Sequence, residues 1–95
     1  MNVYIKNPQF VEAIQLKLST YEQIDEWVNR EKQKKVILEK IRDDIGTLTE
    51  VTYTIFGRKG ADTARLYDYI VKDKMGVFSV QRREKFEDNY TSKSW

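Results

Sequence analysis

The sequence predicts an α+β protein: a mainly antiparallel sheet with one long helix packed on a face and a short C-terminal helix or turn. Three observations carry that expectation. Tyr21, Ile24, Trp27 and Val28 recur on one helical face, while Glu22, Asp25, Glu26 and Asn29 fall on the other. Val51, Tyr53 and Ile55 alternate with Thr52 and Thr54, the period of a half-buried strand. The remaining apolar runs are short, and Gly- or Asp-containing turns separate them.

Val3 to Leu18 reads as one extended segment, with Pro8 near its start, where a strand tolerates a missing N–H. Ser19 with Glu22, and Thr20 with Gln23, have capping-box spacing, and Leu18 is placed to staple the first turn. The helix is expected over Tyr21 to Lys32, acidic at its start and basic at its end, as the helix dipole favours. Val36 to Ile41 is partly β-branched and reads as a strand, followed by a turn at Asp43, Asp44 and Gly46. Thr47 to Phe56 is a strand, and Gly57 to Asp62 a basic, glycine-bounded loop. Leu66 to Val71 and Val77 to Val80 are expected to pair as a hairpin. Its loop runs from Lys72 to Gly76, with the glycine free to take positive φ. Ser79 is expected to cap a short helix over Gln81 to Tyr90, with Phe86 and Tyr90 facing inward. The order is β-α-β-β-β-β-α in a single domain over residues 1–90. The polar tail, 91–95, is expected to fray unless Trp95 docks.

The chain has 95 residues, 40% of them apolar and 34% charged, so it is not of disordered composition. A domain of this size buries a thin core, and a homo-oligomer would add buried area cheaply. The net charge of +2 is small for a dedicated duplex-DNA binder, so nucleic acid is not the expected partner. With no Cys there are no disulfides, thiolate nucleophiles or cysteine metal sites, and with no His the commonest general base is missing. No serine-nucleophile motif replaces them. The chain is therefore expected to be non-enzymatic and without cofactor. Neither a signal-peptide apolar region nor a membrane-length apolar run is read in the sequence, so the protein is expected in the cytoplasm of the cell that makes it.

Two stretches carry a family resemblance. Phe10-Val11-Glu12-Ala13-Ile14-Gln15, after Lys6, Asn7 and Pro8, resembles the V-x-V-E-A-x-Q first strand of a group of small phage and prophage proteins. Tyr67-Asp68-Tyr69-Ile70-Val71-Lys72-Asp73-Lys74-Met75-Gly76-Val77-Phe78, followed by Phe86-Glu87-Asp88-Asn89-Tyr90, is similar to that group's closing hairpin and F-E-x-x-Y end. The group's first glycine is Tyr67 here and its second is Asp73. Thr47-Leu48-Thr49-Glu50 resembles its T-L-E-G segment. The resemblance implies a phage or prophage source, an accessory role and residence in the infected bacterial host.

Candidate sites are few, and each has a plainer reading. Gly57-Arg58-Lys59-Gly60 can hold a phosphate through backbone N–H groups and two cations, though it lacks Walker spacing; a solvated turn explains it as well. Arg82 and Arg83, near a helix start, form one anion pocket if Arg58 and Arg65 converge on them; otherwise Glu84 and Glu87 balance them on a surface helix. Arg30 to Lys35 can steer an acidic partner, or merely satisfy a helix C-terminus. Asp43 and Asp44, with Asp25 or Glu39, have oxygen ligands for a divalent cation, but adjacent carboxylates in a Gly-containing turn are usually turn chemistry, and no metal is expected. Tyr4, Tyr53, Tyr67, Tyr69, Tyr90, Trp27 and Trp95 are many aromatics for this length. Tyr67 and Tyr69 share one face of their predicted strand, which is either an open binding surface or core.

These residues lead to one expectation: a phage-encoded binding protein that counters a bacterial defence, by sequestering a nucleotide-derived signal or by occluding a host effector protein. The expected ligand-binding residues are Arg58, Lys59, Arg65, Tyr67, Tyr69, Arg82 and Arg83. The alternatives are a phage structural or accessory protein acting through protein–protein interfaces and, less favoured, a nucleic-acid-binding regulator.

Overall fold

The apolar run Val11, Ala13 and Ile14 puts apolar side chains on both faces of one strand, so its sheet needs cover on both sides, and that requirement organises the molecule. The computed structural model describes residues 2–6, 9–31, 36–57, 60–89 and 91–92. Its elements are β1 (Asn2–Lys6), β2 (Gln9–Gln15), α1 (Tyr21–Arg30), β3 (Val36–Arg42), β4 (Leu48–Gly57), β5 (Gly60–Ala64), β6 (Tyr69–Lys72), β7 (Phe78–Gln81), α2 (Arg83–Asn89) and β8 (Thr91–Ser92). A five-stranded sheet runs β7-β6-β2-β1-β8 and a three-stranded sheet runs β3-β4-β5. Every pairing is antiparallel.

In β2 and β6, Ala13 lies opposite Val71 and Ile14 opposite Ile70. Successive residues face opposite sides, so the apolar run of β2 feeds two cores. On one side Ile14, Leu16, Ile70, Phe78 and Val80 pack with Ile24, Trp27 and Val28 of α1 and with Val51, Tyr53 and Ile55 of β4. Trp27 meets Phe78 edge-to-face, with centroids 4.9 Å apart at 80°. The Trp27 Nε1–H is buried without an acceptor, so apolar packing alone holds that ring. On the other side Val11, Ala13, Tyr69 and Val71 are closed off by Phe86 of α2, which stacks on Tyr69 at 4.0 Å.

The long helix expected over Tyr21 to Lys32 is a ten-residue helix ending at Arg30. Its apolar stripe is Ile24, Trp27 and Val28, and the next position in register is Glu31, so no further turn has a face to bury. Neither capping box forms. The Thr20 hydroxyl donates backwards to the Gln15 carbonyl (2.6 Å) and accepts from the Lys17 N–H (2.9 Å), closing the turn that leads out of β2. Leu18, the expected staple, is an exposed residue.

The segment expected as one strand over Val3 to Leu18 is instead the β1–β2 hairpin, with Lys6 opposite Gln9. Residues 7 and 8, Pro8 among them, lie outside the described residues. As a hairpin, β2 has a hydrogen-bonding partner on each edge. The loop expected over Gly57 to Asp62 is largely strand: β4 runs to Gly57 and β5 starts at Gly60. Gly-Ala-Asp-Thr-Ala shows little strand propensity, and pairing with β4 overrides it, with the Thr54 and Thr63 hydroxyls 2.8 Å apart. Thr91 and Ser92 of the expected fraying tail pair with Ile5 and Tyr4. Trp95 and Tyr90 lie outside the described residues. Among the described residues no helix is long and apolar enough to cross a membrane.

Two hairpins turn by one device. Asp43 Oδ1 accepts the N–H groups of Ile45 and Thr47 at 3.0 and 2.9 Å, and Asp73 Oδ1 accepts those of Met75 and Val77 at 2.8 and 3.0 Å. Gly46 and Gly76 supply the positive φ of 89° and 83°.

The Tyr53 hydroxyl ties β4 to α1 by donating to Asp25 Oδ1 at 3.0 Å. Burial, reinforced by that carboxylate, holds the Tyr53 phenol well above its ordinary value of 10.0. The unfolded phenol therefore releases its proton first as pH rises, and the native state loses stability once pH exceeds the unfolded value. Chemical denaturation at stepped pH should show a stability loss setting in above about pH 10 that is smaller in Tyr53→Phe. At neutral pH the same variant should lose about 1 kcal/mol. An unchanged alkaline slope in the variant would remove Tyr53 as its source.

Candidate binding surface around the 65–68 turn

Five of the seven expected ligand residues are described, and they lie at one end of the molecule, where β5, β6, β7 and α2 meet. Arg58 and Lys59 lie outside the described residues, as do residues 32–35 of the basic run after α1. The strand expected to begin at Leu66 begins at Tyr69, because residues 65–68 form a tight turn closed by the Asp68 N–H donating to the Arg65 carbonyl at 3.0 Å. Tyr67 occupies its third position with φ of 77°, the geometry of a type II turn. Tyr67 and Tyr69 therefore do not share a strand face. Tyr67 is 49% exposed, whereas Tyr69 is 6% exposed, stacked under Phe86, with its hydroxyl donating to Glu87 Oε2 at 2.8 Å. Tyr69 is core and offers no platform to a ligand.

The centre of the region is Asp68, 9% exposed. Its Oδ2 accepts the Arg65 N–H at 3.0 Å and the Arg82 guanidinium at 2.9 Å, and its Oδ1 accepts the Arg83 N–H at 3.3 Å. The first helical N–H of α2 is thus met by Asp68. Ser79, the expected cap, sits exposed in β7. A carboxylate between Tyr67 and Tyr69 was the sequence signal for such a hub: a charge in a mostly apolar run is kept only where donors surround it.

Arg82 is consumed by this arrangement. Besides Asp68 it donates to the Thr63 carbonyl at 3.0 Å and pairs with Asp62 at 3.4 Å. Arg83 pairs with Glu87 at 3.6 Å and lies 5.8 Å from the Tyr67 ring centroid. Arg65 is exposed, and its guanidinium has no hydrogen bond or ion pair among the described residues. Arg82 and Arg83 face Asp62, Asp68 and Glu87, so their charges are balanced, and among the described arginines of this corner Arg65 is the uncommitted one. An open depression of 430 Å³, lined by Thr63, Arg65, Leu66, Asp68 and Arg82, lies beside the turn.

The other candidates are placed elsewhere. Arg30 pairs with Glu26 along α1. Trp27 and Tyr53 are core. Asp43 is the hairpin cap described above, and Asp25 serves Tyr53 and Asn29. Among the described residues no three carboxylates converge as a metal site would need.

No family model, curated protein or solved structure matches this chain.

Removing the hub should be far costlier than removing its exposed satellite. Asp68→Ala leaves Arg82 and two N–H groups without their acceptor and should cost about 3 kcal/mol in urea denaturation. Asp62→Ala, which breaks a half-exposed pair, should cost less than about 1 kcal/mol. Equal losses would mean that Asp68 is not the anchor of this corner.

Proposed function

We propose that this chain is a non-enzymatic binding protein, phage-encoded as its resemblance implies, that counters a bacterial defence by occluding a host effector protein. The observation that supports occlusion is the contrast between the two tyrosines and between the arginines. Tyr69 and Arg82 of the expected nucleotide site are committed to the fold by their hydrogen bonds, while Tyr67 and Arg65 stand exposed on an open turn. Small ligands are held by enclosing most of their surface, whereas a protein partner can cover an open one. The lack of both His and Cys supports a role without catalysis.

A second reading keeps specific support. The depression beside Arg65 is large enough for a nucleotide-derived signal, and Arg65 brings a free cation to its rim. A homo-oligomer is supported by strand β3, an edge of its sheet that carries Ile37 and Ile41 at 44% and 47% exposure.

The test is infection of bacteria that each carry one defence system, with and without this chain. Restored phage plating against one system, with the chain co-eluting in a defined ratio with that system's effector, is the expected result. Native mass spectrometry against linear and cyclic nucleotides should show no added mass. A nucleotide adduct would transfer the proposal to sequestration, and no restored plating against any system would sink the defence reading.

A further inference from the structure

We infer that the Tyr67 ring, with Arg65 beside it, is the anchor by which this chain grips a partner protein, and that the partner offers an acidic surface with a recess for the ring. The inference deepens the occlusion reading and rests on it for the partner's class.

An aromatic residue in the left-handed region is an outlier, and Tyr67 is the one non-glycine residue there among those described. The fold does not need its side chain. The turn is held by main-chain groups: the Tyr67 N–H donates to the Leu16 carbonyl at 2.6 Å, the Leu16 N–H donates to the Asp68 carbonyl at 2.8 Å, and Gln15 Nε2 donates to the Tyr67 carbonyl at 3.0 Å. A glycine at position 67 would leave all of these bonds in place and relieve the strain. The ring belongs to neither apolar cluster, and its hydroxyl makes no hydrogen bond among the described residues. The ring faces the Arg83 guanidinium, 5.8 Å from its centroid.

The strain therefore holds a large amphipathic ring outward on a turn that is fastened by three bonds to Gln15 and Leu16, where β2 ends. Such preorganisation lowers the entropy lost on association. Exposed Tyr beside unpaired Arg is the composition of binding hot spots. The charge requirement follows from the Arg65 guanidinium, which has no partner among the described residues and which a carboxylate would complete. The ring does not line the neighbouring depression, so a ligand seated there would leave it uncovered, which favours a protein over a small molecule.

Two measurements on the full chain test this. Tyr67→Gly should raise the thermal midpoint, by roughly 2–5 °C, and Tyr67→Asn should not lower it. A fall in both would make the ring structural and overturn the inference. A photoreactive benzoyl-phenylalanine in place of Tyr67, irradiated in bacterial cells, should give one discrete adduct with another protein, joined at an Asp- or Glu-containing peptide. Adding Arg65→Glu should reduce that adduct about tenfold or more, and the same probe in place of Ser79 should give none. No adduct, or one indifferent to Arg65→Glu, overturns the inference. So does a nucleotide carried by the purified chain and lost in Tyr67→Gly. An adduct with a protein unconnected to defence leaves the anchor standing and removes only the defence reading.

Discussion

The corner of the molecule proposed for binding depends on one buried carboxylate. Asp68 holds three donors from two parts of the chain: the N–H of Arg65 in its own turn, and the guanidinium of Arg82 and N–H of Arg83 where β7 passes into α2. Those bonds fix where α2 begins, and thereby set Phe86 over Tyr69 and close the second core. They also draw Arg82 onto the Thr63 carbonyl at the end of β5, which joins the small sheet to the large one. A buried carboxylate without its donors would be costly, so this corner forms as a whole or not at all.

The same commitment decides which side chains are left for a partner. Cations that look interchangeable in the sequence have different duties: Arg82 is structural, Arg83 shares its charge with Glu87, and Arg65 is uncommitted. Exposure separates the tyrosines in the same way. A cation or ring can recognise something else only where the fold has not already neutralised or covered it, and that condition leaves Tyr67 and Arg65 at the tip of the turn.

Much of the architecture was legible where burial imposes a period. The stripe of Ile24, Trp27 and Val28, the alternation of Val51, Tyr53 and Ile55, the Asp-x-x-Gly turns and the inward Phe86 all follow from one residue type repeating against one face. What was illegible is what tertiary pairing decides. Gly60–Ala64 becomes a strand because β4 is beside it, and Thr20 turns its hydroxyl back because the Gln15 carbonyl lies within reach. Within the site, Arg65, Tyr67, Arg82 and Arg83 could be picked out from sequence as candidates, but neither their convergence nor their roles could be read there. No local pattern tells a salt-bridged arginine from a free one, and a single residue of positive φ at Tyr67 takes it out of the strand it was expected to share with Tyr69.

The strand order β7-β6-β2-β1-β8 also has a kinetic side. The central strand is made early in synthesis, yet one of its two neighbours, β6, follows only after α1 and the whole three-stranded sheet. The β3–β4–β5 meander closes through local contacts and can form while the ribosome is still adding later residues. The edge of β2 that β6 fills stays open until Ile70 and Val71 emerge, and the face carrying Val11 and Ala13 stays uncovered until Phe86 follows. During that interval the nascent chain displays an apolar strand with a vacant edge, the feature that chaperones hold and that aggregation recruits.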